Sequence, residues 1–274
     1  MSDLTANITV PVDLTNPGQF FACCGLLELA DRLWPGAEGW FGLRAFCIRT
    51  VDQSKSLSEL IGEVRSTVFD VGNDTESEDD DNDEEAPSVE PIHVQWKNNT
   101  PAIHLDWWSE KSIKPWAGSM KERVIFRAML DAIDPSKTDP LGDLKAVLYK
   151  PPTKKNPAKK EPFYFDPRRG NKSHPLDSGF SPDTHKMQAE CCPALEALCF
   201  IGLQRARPAS TGVANQSRYT AWTHHIPASL IGPVVCGIAP IPGSLNYVFK
   251  NYFRTDQRKH KTFSQAILER NKNV

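Results

Sequence analysis

The sequence predicts an α+β fold, with mixed strands and helices around one core. Two observations predict it. Apolar stretches of period 2 and of period 3.6 both occur along the 274 residues, and they are mixed rather than regularly alternating. Apolar residues make up 39% of the chain, enough for a real core although on the low side for a globular domain.

The elements follow in order. Ile8, Val10 and Val12 alternate with Thr9, Pro11 and Asp13, the pattern of a short strand. Pro11 lacks an N–H and so belongs at a sheet edge. Asn16 is a good N-cap and Pro17 fits the first helical turn, so a helix is expected from there to Trp34, stopped by Pro35-Gly36. Phe20, Cys23, Cys24 and Leu27 keep the helical period. Phe21, Ala22, Leu26, Leu29, Ala30 and Leu33 fill most of the remaining circumference, as in a helix buried on several sides.

Residues 39–50 read as one strand, with Trp40, Arg44, Phe46, Ile48 and Thr50 on one face. Ser56 with Glu59 forms a capping box that opens a helix through Leu57, Leu60, Ile61, Val64 and Val68. Residues 92–96 and 103–108 are two strands joined by a polar connection, a hairpin signal. A helix is expected over 117–133, carried by Val124, Phe126, Ala128, Met129 and Ile133 and ended by Asp134-Pro135. Residues 150–186 read as a long polar loop region with a short strand at 163–165. A helix over 189–205 follows, with Pro193 in its first turn. Then come a strand at 218–222, a short apolar helix over 227–236, a strand over 247–254 and a last short helix over 263–270.

The net charge of −2 conceals a division. Residues 1–90 hold 5 Lys and Arg against 19 Asp and Glu, whereas residues 91–274 hold 27 against 15. Within residues 74–85, nine of twelve are acidic, too densely charged to pack. The expected organisation is therefore 1–72 as the N-terminal α/β part of the core, 73–90 as an acidic disordered loop, and 91–274 as the basic C-terminal part of the same domain. The acidic loop reads either as a passive insertion or as a shield over a basic groove.

Several function classes lack their signatures. No stretch reaches 18 apolar residues, so no membrane span is expected. No basic-then-apolar leader opens the chain, and the seven cysteines are paired in sequence or alone in apolar runs, the usage of small buried hydrophobes in a reducing, cytoplasmic setting. There is no phosphate-binding G-x-x-x-x-G-K-[ST] run, no C-x-x-C, and no His pair at helical i, i+4 spacing. No metal or cofactor is therefore expected. Asp106, Glu110 and Lys111 make only a faint nuclease trio, and His185 with Cys191 only a chance metal pair. Cys23 and Cys191 sit in apolar surroundings that disfavour a nucleophile. Trp96, Trp107, Trp108 and Trp116 read chiefly as core or subunit-interface residues, with base stacking as the other reading.

Basic residues cluster three times. The first cluster is Lys150, Lys154, Lys155, Lys159 and Lys160. The second is Arg168, Arg169 and Lys172, just after Phe163, Tyr164 and Phe165. The third is Arg254, Arg258, Lys259, His260 and Lys261, beside Tyr252 and Phe253. Basic charge interleaved with aromatics suits phosphate neutralisation and base stacking together. Arg205, Arg207 and Arg218 flank the polar loop 209–217 and extend the candidate set. The plain alternative for each cluster is a solvated face. Arg168 and Arg169 are expected to be exposed, so that replacing both leaves stability nearly unchanged.

Two blocks carry a family resemblance. The first is Thr15-Asn16-Pro17-Gly18-Gln19-Phe20-Phe21-Ala22-Cys23-Cys24-Gly25-Leu26-Leu27-Glu28, followed by Gly39-Trp40-Phe41. The second is Phe200-Ile201-Gly202-Leu203-Gln204-Arg205-Ala206-Arg207-Pro208, then Arg218-Tyr219-Thr220-Ala221-Trp222 and Ile226-Pro227-Ala228-Ser229-Leu230. In order and at both ends, they resemble small, large-subunit-like effector components of type I-G (formerly I-U) CRISPR systems. The resemblance implies a divergent ferredoxin-like element, although the opening order β-α-β-α-β-β-α does not match that fold directly. It also implies a non-catalytic subunit of an RNA-guided interference complex. Such a subunit contacts guide RNA or target DNA and neighbouring Cas subunits, and needs no membrane. The alternatives are a metal-independent guide-RNA-processing endoribonuclease using His224 or His225, and a protein-interaction scaffold that touches no nucleic acid.

Overall fold

The computed structural model describes residues 5–69, 90–96, 101–116, 120–150, 159–160, 165–169, 190–253 and 261–269. The acidic run lies outside them, as do the residues 163–164 expected to form a strand. The fold is mixed α+β, with antiparallel sheets arranged around central helices. Residues from both sides of the acidic run share one hydrophobic core.

The first unit is strand β1 (Ile8–Pro11), helix α1 (Pro17–Leu33) and the strands β2 (Glu38–Phe41) and β3 (Ala45–Arg49). Asn16 caps α1 as expected, its side chain accepting from the Gln19 amide at 3.1 Å. β3 lies antiparallel between β1 and β2, so β1 and β2 run parallel and α1 crosses between them in a split β-α-β unit. β1 is a sheet edge, where Pro11 is tolerated.

Residues 39–50 form a hairpin rather than the single strand expected. Phe41 and Phe46 are both buried, yet their odd separation would put them on opposite faces of one strand. A turn at Gly42, closed by its amide on the Ala45 carbonyl at 2.7 Å, restores both to the core. Half of the expected capping box forms, because the Glu59 carboxylate pairs with Lys55 at 2.9 Å instead of with the Ser56 amide. Ser56 accepts from the Glu59 amide at 3.2 Å and opens α2 (Leu57–Arg65).

α2 leads not back to β1 but into a second, smaller sheet made of β4 (Val68–Phe69), β5 (Ile92–Gln95) and β6 (Ile103–Leu105). The ferredoxin-like arrangement therefore stops after its first half. The expected hairpin of β5 and β6 is present, with Ile92 opposite Leu105 and Val94 opposite Ile103. A short 3-10 turn at Trp107–Ser109 and helix α3 (Glu122–Asp131) follow. The loop region opens with a two-stranded piece, β7 (Leu148–Lys150) and β8 (Lys159–Lys160).

Helix α4 (Pro193–Gly202) has Pro193 in its first turn, as expected. After it come β9 (Ala209–Ser210), β10 (Gln216–Ala221), β11 (Ile226–Pro227) and helix α5 (Ile231–Val235). The chain ends in β12 (Leu245–Phe253), β13 (Lys261–Phe263) and β14 (Ile267–Leu268). β11 joins the first sheet on β2, giving the order β1-β3-β2-β11. The others form a third sheet in the order β13-β12-β10-β9, with β14 also paired to β12.

The last segment is strand, not the helix expected. Phe263 and Ala266 are buried at a helical i, i+3 spacing, which misleads. Pairing with β12, and the Ala266 amide on the Thr15 carbonyl at 2.7 Å, override that local pattern.

α1 and α4 are the centre of the molecule. Residues 17–30 of α1 and every residue of α4 are buried. The two helices meet at glycines. A Cβ added to Gly25 would stand 2.1 Å from the Leu198 carbonyl oxygen, and one added to Gly202 would stand 2.1 Å from that of Phe21.

Aromatic rings fill the space around this crossing. Phe20 stacks on Tyr219 at 4.2 Å and Phe41 meets Trp222 edge-on at 4.9 Å. Phe126 stacks on Phe200 at 4.8 Å. The four clustered tryptophans are core residues, at most 3% exposed. Three of their ring N–H groups are used: Trp107 Nε1 donates to the Phe200 carbonyl at 2.8 Å, Trp96 Nε1 to Thr67 Oγ1 at 2.9 Å and Trp116 Nε1 to Glu122 Oε1 at 3.0 Å. Among the described residues, no helix is long and apolar enough to cross a membrane.

The crossing makes a sharp prediction. Gly25→Ala and Gly202→Ala each lower stability by at least about 1–3 kcal/mol, the usual penalty for overpacking, because the clashing atom is backbone. Gly62, inside α2 with nothing within 4 Å of an added Cβ, behaves oppositely. Gly62→Ala raises stability by about 0.5–1 kcal/mol. Urea denaturation of the three variants measures both signs.

Candidate nucleic-acid interface

A cleft of ≈ 230 Å³ opens at the N-terminal end of α1, lined by Asp13, Asn16, Pro167, Arg168, Tyr252, Ser264 and Gln265. Three separate pieces of chain meet there: the cap of α1, the segment 165–169, and the β12–β13 end of the third sheet. None is adjacent to another in sequence.

Buried carboxylates hold the segment 165–169 in place. Glu196, fully buried on α4, accepts from the Phe165 amide at 3.0 Å and from the Asp166 amide at 3.2 Å. Phe165 is driven into the core beside Trp107, with ring centres 5.8 Å apart. Asp166 is also fully buried. It accepts from Asn16 Nδ2 at 2.9 Å, from the Arg168 amide at 3.0 Å and from Arg168 Nη2 at 2.6 Å. Asn16 thus caps α1 with its oxygen and ties down the loop with its nitrogen. The Arg168 guanidinium also donates to the Leu141 carbonyl at 2.7 Å. Burial works against its charge, but the Asp166 carboxylate outweighs it and raises its pKa.

The cleft therefore sits where two basic segments are anchored. Residues 150–189 hold nine Lys and Arg against four Asp and Glu, and residues 250–274 hold seven against two. These two segments supply most of the positive excess of residues 91–274. Arg168 of the first and Tyr252 of the second line the same cleft.

The expected site residues divide into three groups. Lys172, Arg254, Arg258 and Lys259 lie outside the described residues, and Arg169 is described only as backbone of a short 3-10 turn. Arg168, Arg205, Arg207 and Arg218 are partly exposed, but each is paired with a carboxylate. Arg205 binds Glu28, a buried carboxylate it shares with Arg32, and that hydrogen bond raises its pKa. Arg207 lies 3.4 Å from Asp106 and 4.0 Å from Glu110, and Arg218 lies 3.5 Å from Glu269. Lys261 stands over the Phe253 ring at 5.2 Å and donates to the Lys111 carbonyl at 3.3 Å, and burial lowers its pKa.

These residues do not make one patch. Arg168 is tied through Asp166 to the N-cap of α1 and Arg205 to its fourth turn, roughly 18 Å along the helix axis. Sequence reasoning missed Asp13, Asn16, Ser264 and Gln265 as cleft residues. No local signal marks them, because the cleft forms only when three segments far apart in the sequence dock.

The other candidate chemistry is not assembled. Asp106 and Glu110 converge on Arg207, and Gln204 Nε2 also donates to Asp106 at 2.9 Å. His224 is exposed in a bend, while His225 stacks on Trp40 with ring centres 4.1 Å apart. Among the described residues, no three His, Cys, Asp or Glu side chains are grouped to hold a metal ion. Burial pushes the Cys23, Cys24 and Cys199 thiols well up, and that of Cys192 up to about 12. Comparison with protein-family models, curated proteins and solved structures finds no match.

Two predictions follow from these contacts. Arg168→Ala lowers stability by about 1–3 kcal/mol, because it strips a charged partner from a buried carboxylate. This replaces the neutral effect expected from the sequence, and thermal unfolding with Asp166→Asn added checks it: the second change recovers part of the loss. Thiol labelling of the native protein at pH 8 modifies Cys47 and Cys236, the two partly exposed cysteines, well before the five buried ones. Mass spectrometry of the labelled peptides reads the order.

Proposed function

We propose that the chain is a non-catalytic, nucleic-acid-binding subunit of an RNA-guided type I CRISPR interference complex. It contacts guide RNA or target DNA backbone and neighbouring Cas subunits, and it works in the cytoplasm. The observation that carries this reading is the cleft at the start of α1, which is lined by Arg168 of one basic segment and Tyr252 of the other. The family resemblance of the two sequence blocks supports the same reading and supplies the complex.

In this reading the protein grips phosphates without reading sequence, which base pairing supplies. A phosphate-dominated site has a specific signature. Affinity for single-stranded RNA falls steeply with salt, with a slope near −0.7 per neutralised phosphate.

Fluorescence anisotropy across a salt series tests this. Replacing Arg254, Arg258 and Lys259 together with Ala weakens binding and flattens the log–log salt slope by about 2, since up to three phosphate contacts are lost. Arg205→Ala, at the distant ion pair with Glu28, leaves the slope unchanged. Salt-independent binding, or a slope unaffected by the triple change, would overturn the reading.

A further inference from the structure

We propose that His93 and His104 form a two-histidine clip for a borderline first-row divalent cation, Zn²⁺ or Ni²⁺, on the open face of the β4–β5–β6 sheet. The inference is independent of the nucleic-acid reading.

The two residues are direct cross-strand partners in the β5–β6 hairpin. Their neighbours Ile92, Val94, Ile103 and Leu105 point into the core, so alternation turns both imidazoles to solvent. Their ring centres lie 4.1 Å apart with the planes at 59°. Two rings that each give one nitrogen to a shared ion, at metal–nitrogen distances of about 2.0–2.1 Å, stand with centres about 5 Å apart. The observed separation reaches that value by opening about 1 Å, within the freedom of exposed side chains on a fixed hairpin.

The ligand class follows from the donors. Two neutral imidazoles suit Zn²⁺, Ni²⁺ and Cu²⁺, and they do not suit Mg²⁺ or Ca²⁺, which take oxygen ligands. Among the described residues no third protein ligand joins the pair. Water completes the sphere, so the site exchanges readily and binds more weakly than a four-ligand structural site. Its physical effect is to bridge β5 to β6. β5 is the strand that resumes the fold after the acidic run, and Val94 and Phe69 join it to β4. An ion at the clip therefore ties together the two strands of the hairpin that closes the smaller sheet. Because the ion binds the native pair and not the unfolded chain, it raises stability by mass action.

The test uses the untagged full chain with ZnCl₂ and, separately, NiCl₂. Calorimetric titration is expected to give one equivalent of binding, with a rise in Tm that grows with metal concentration. His93→Asn and His104→Asn each weaken binding at least tenfold and abolish the rise, while their metal-free Tm matches the wild type. In NMR spectra, the resonances of both imidazoles shift together at the same metal concentration. MgCl₂ produces none of these effects. Wild-type binding no tighter than that of the His93→Asn, His104→Asn double variant would overturn the proposal. So would binding lost on replacing Cys47 and Cys236 with Ser, which would assign the metal to thiols instead.

Discussion

The close crossing of α1 and α4 sets the rest of the fold. At Gly25 and Gly202 the two backbones approach so nearly that neither position has room for a Cβ. Helices that touch through their backbones leave little side-chain volume between them, so their remaining faces must be covered by other elements. The first sheet covers α1 through Phe41, Trp222 covers it from the link between β10 and β11, and the third sheet covers it through Tyr219, Phe249 and Phe263. α3 and the tryptophan cluster cover α4 through Phe126, Trp107 and Trp116. The apolar circumference of both helices is the sequence consequence of that enclosure.

Two carboxylates interrupt this apolar pair, and each is used to attach something. Glu28 on α1 accepts from Arg32 and Arg205, and so ties the chain leaving α4 back to α1. Glu196 on α4 accepts two backbone amides of the segment 165–166. Buried charge without partners would be strongly destabilising, so these segments are specified as much as the helices are. The second attachment matters most for the candidate interface. It gives the long basic stretch a fixed post at the mouth of the cleft, beside the point where β12 leads into the other basic stretch.

Local structure was legible in the sequence wherever one residue type decides it. The Asn16 cap, the Ser56 cap, Pro193 at the start of a helix and the β5–β6 alternation all appear as read. Errors arose where tertiary pairing decides. The turn at Gly42 has neighbours that can sit in a strand, and only the need to bury both Phe41 and Phe46 bends the chain. The segment 263–268 carries a helical spacing that pairing with β12 overrules. The candidate site was legible as composition but not as place. The basic runs are plain in the sequence, while the cleft that their ends share depends on Asn16 meeting Asp166 across 150 residues. Each of the two blocks of family resemblance reaches the crossing, with Gly25 in one and Gly202 in the other, although most of the second lies beyond α4. They mark the scaffold and say little about which loop residues touch a ligand.

The paired arginines are not equivalent as phosphate ligands, and burial of the partner decides between them. Arg207 and Arg218 face carboxylates whose side chains are 42–50% exposed. Exposed pairs of this kind are worth about 0–1 kcal/mol, so an arriving phosphate can displace the carboxylate into water at little cost. Arg168 and Arg205 face Asp166 and Glu28, whose side chains are 0% and 2% exposed. If either guanidinium turned to a phosphate, it would leave a buried carboxylate short of its charged partner, a larger penalty than a single phosphate contact returns. Arg168 and Arg205 therefore act as fixed struts that shape the surface and lend it partial positive charge. Under the proposed nucleic-acid reading, Arg207 and Arg218 are the paired arginines free to exchange their carboxylates for phosphate. On this argument the buried carboxylates sort the arginines into scaffold and contact, a division that their spacing in the sequence does not reveal.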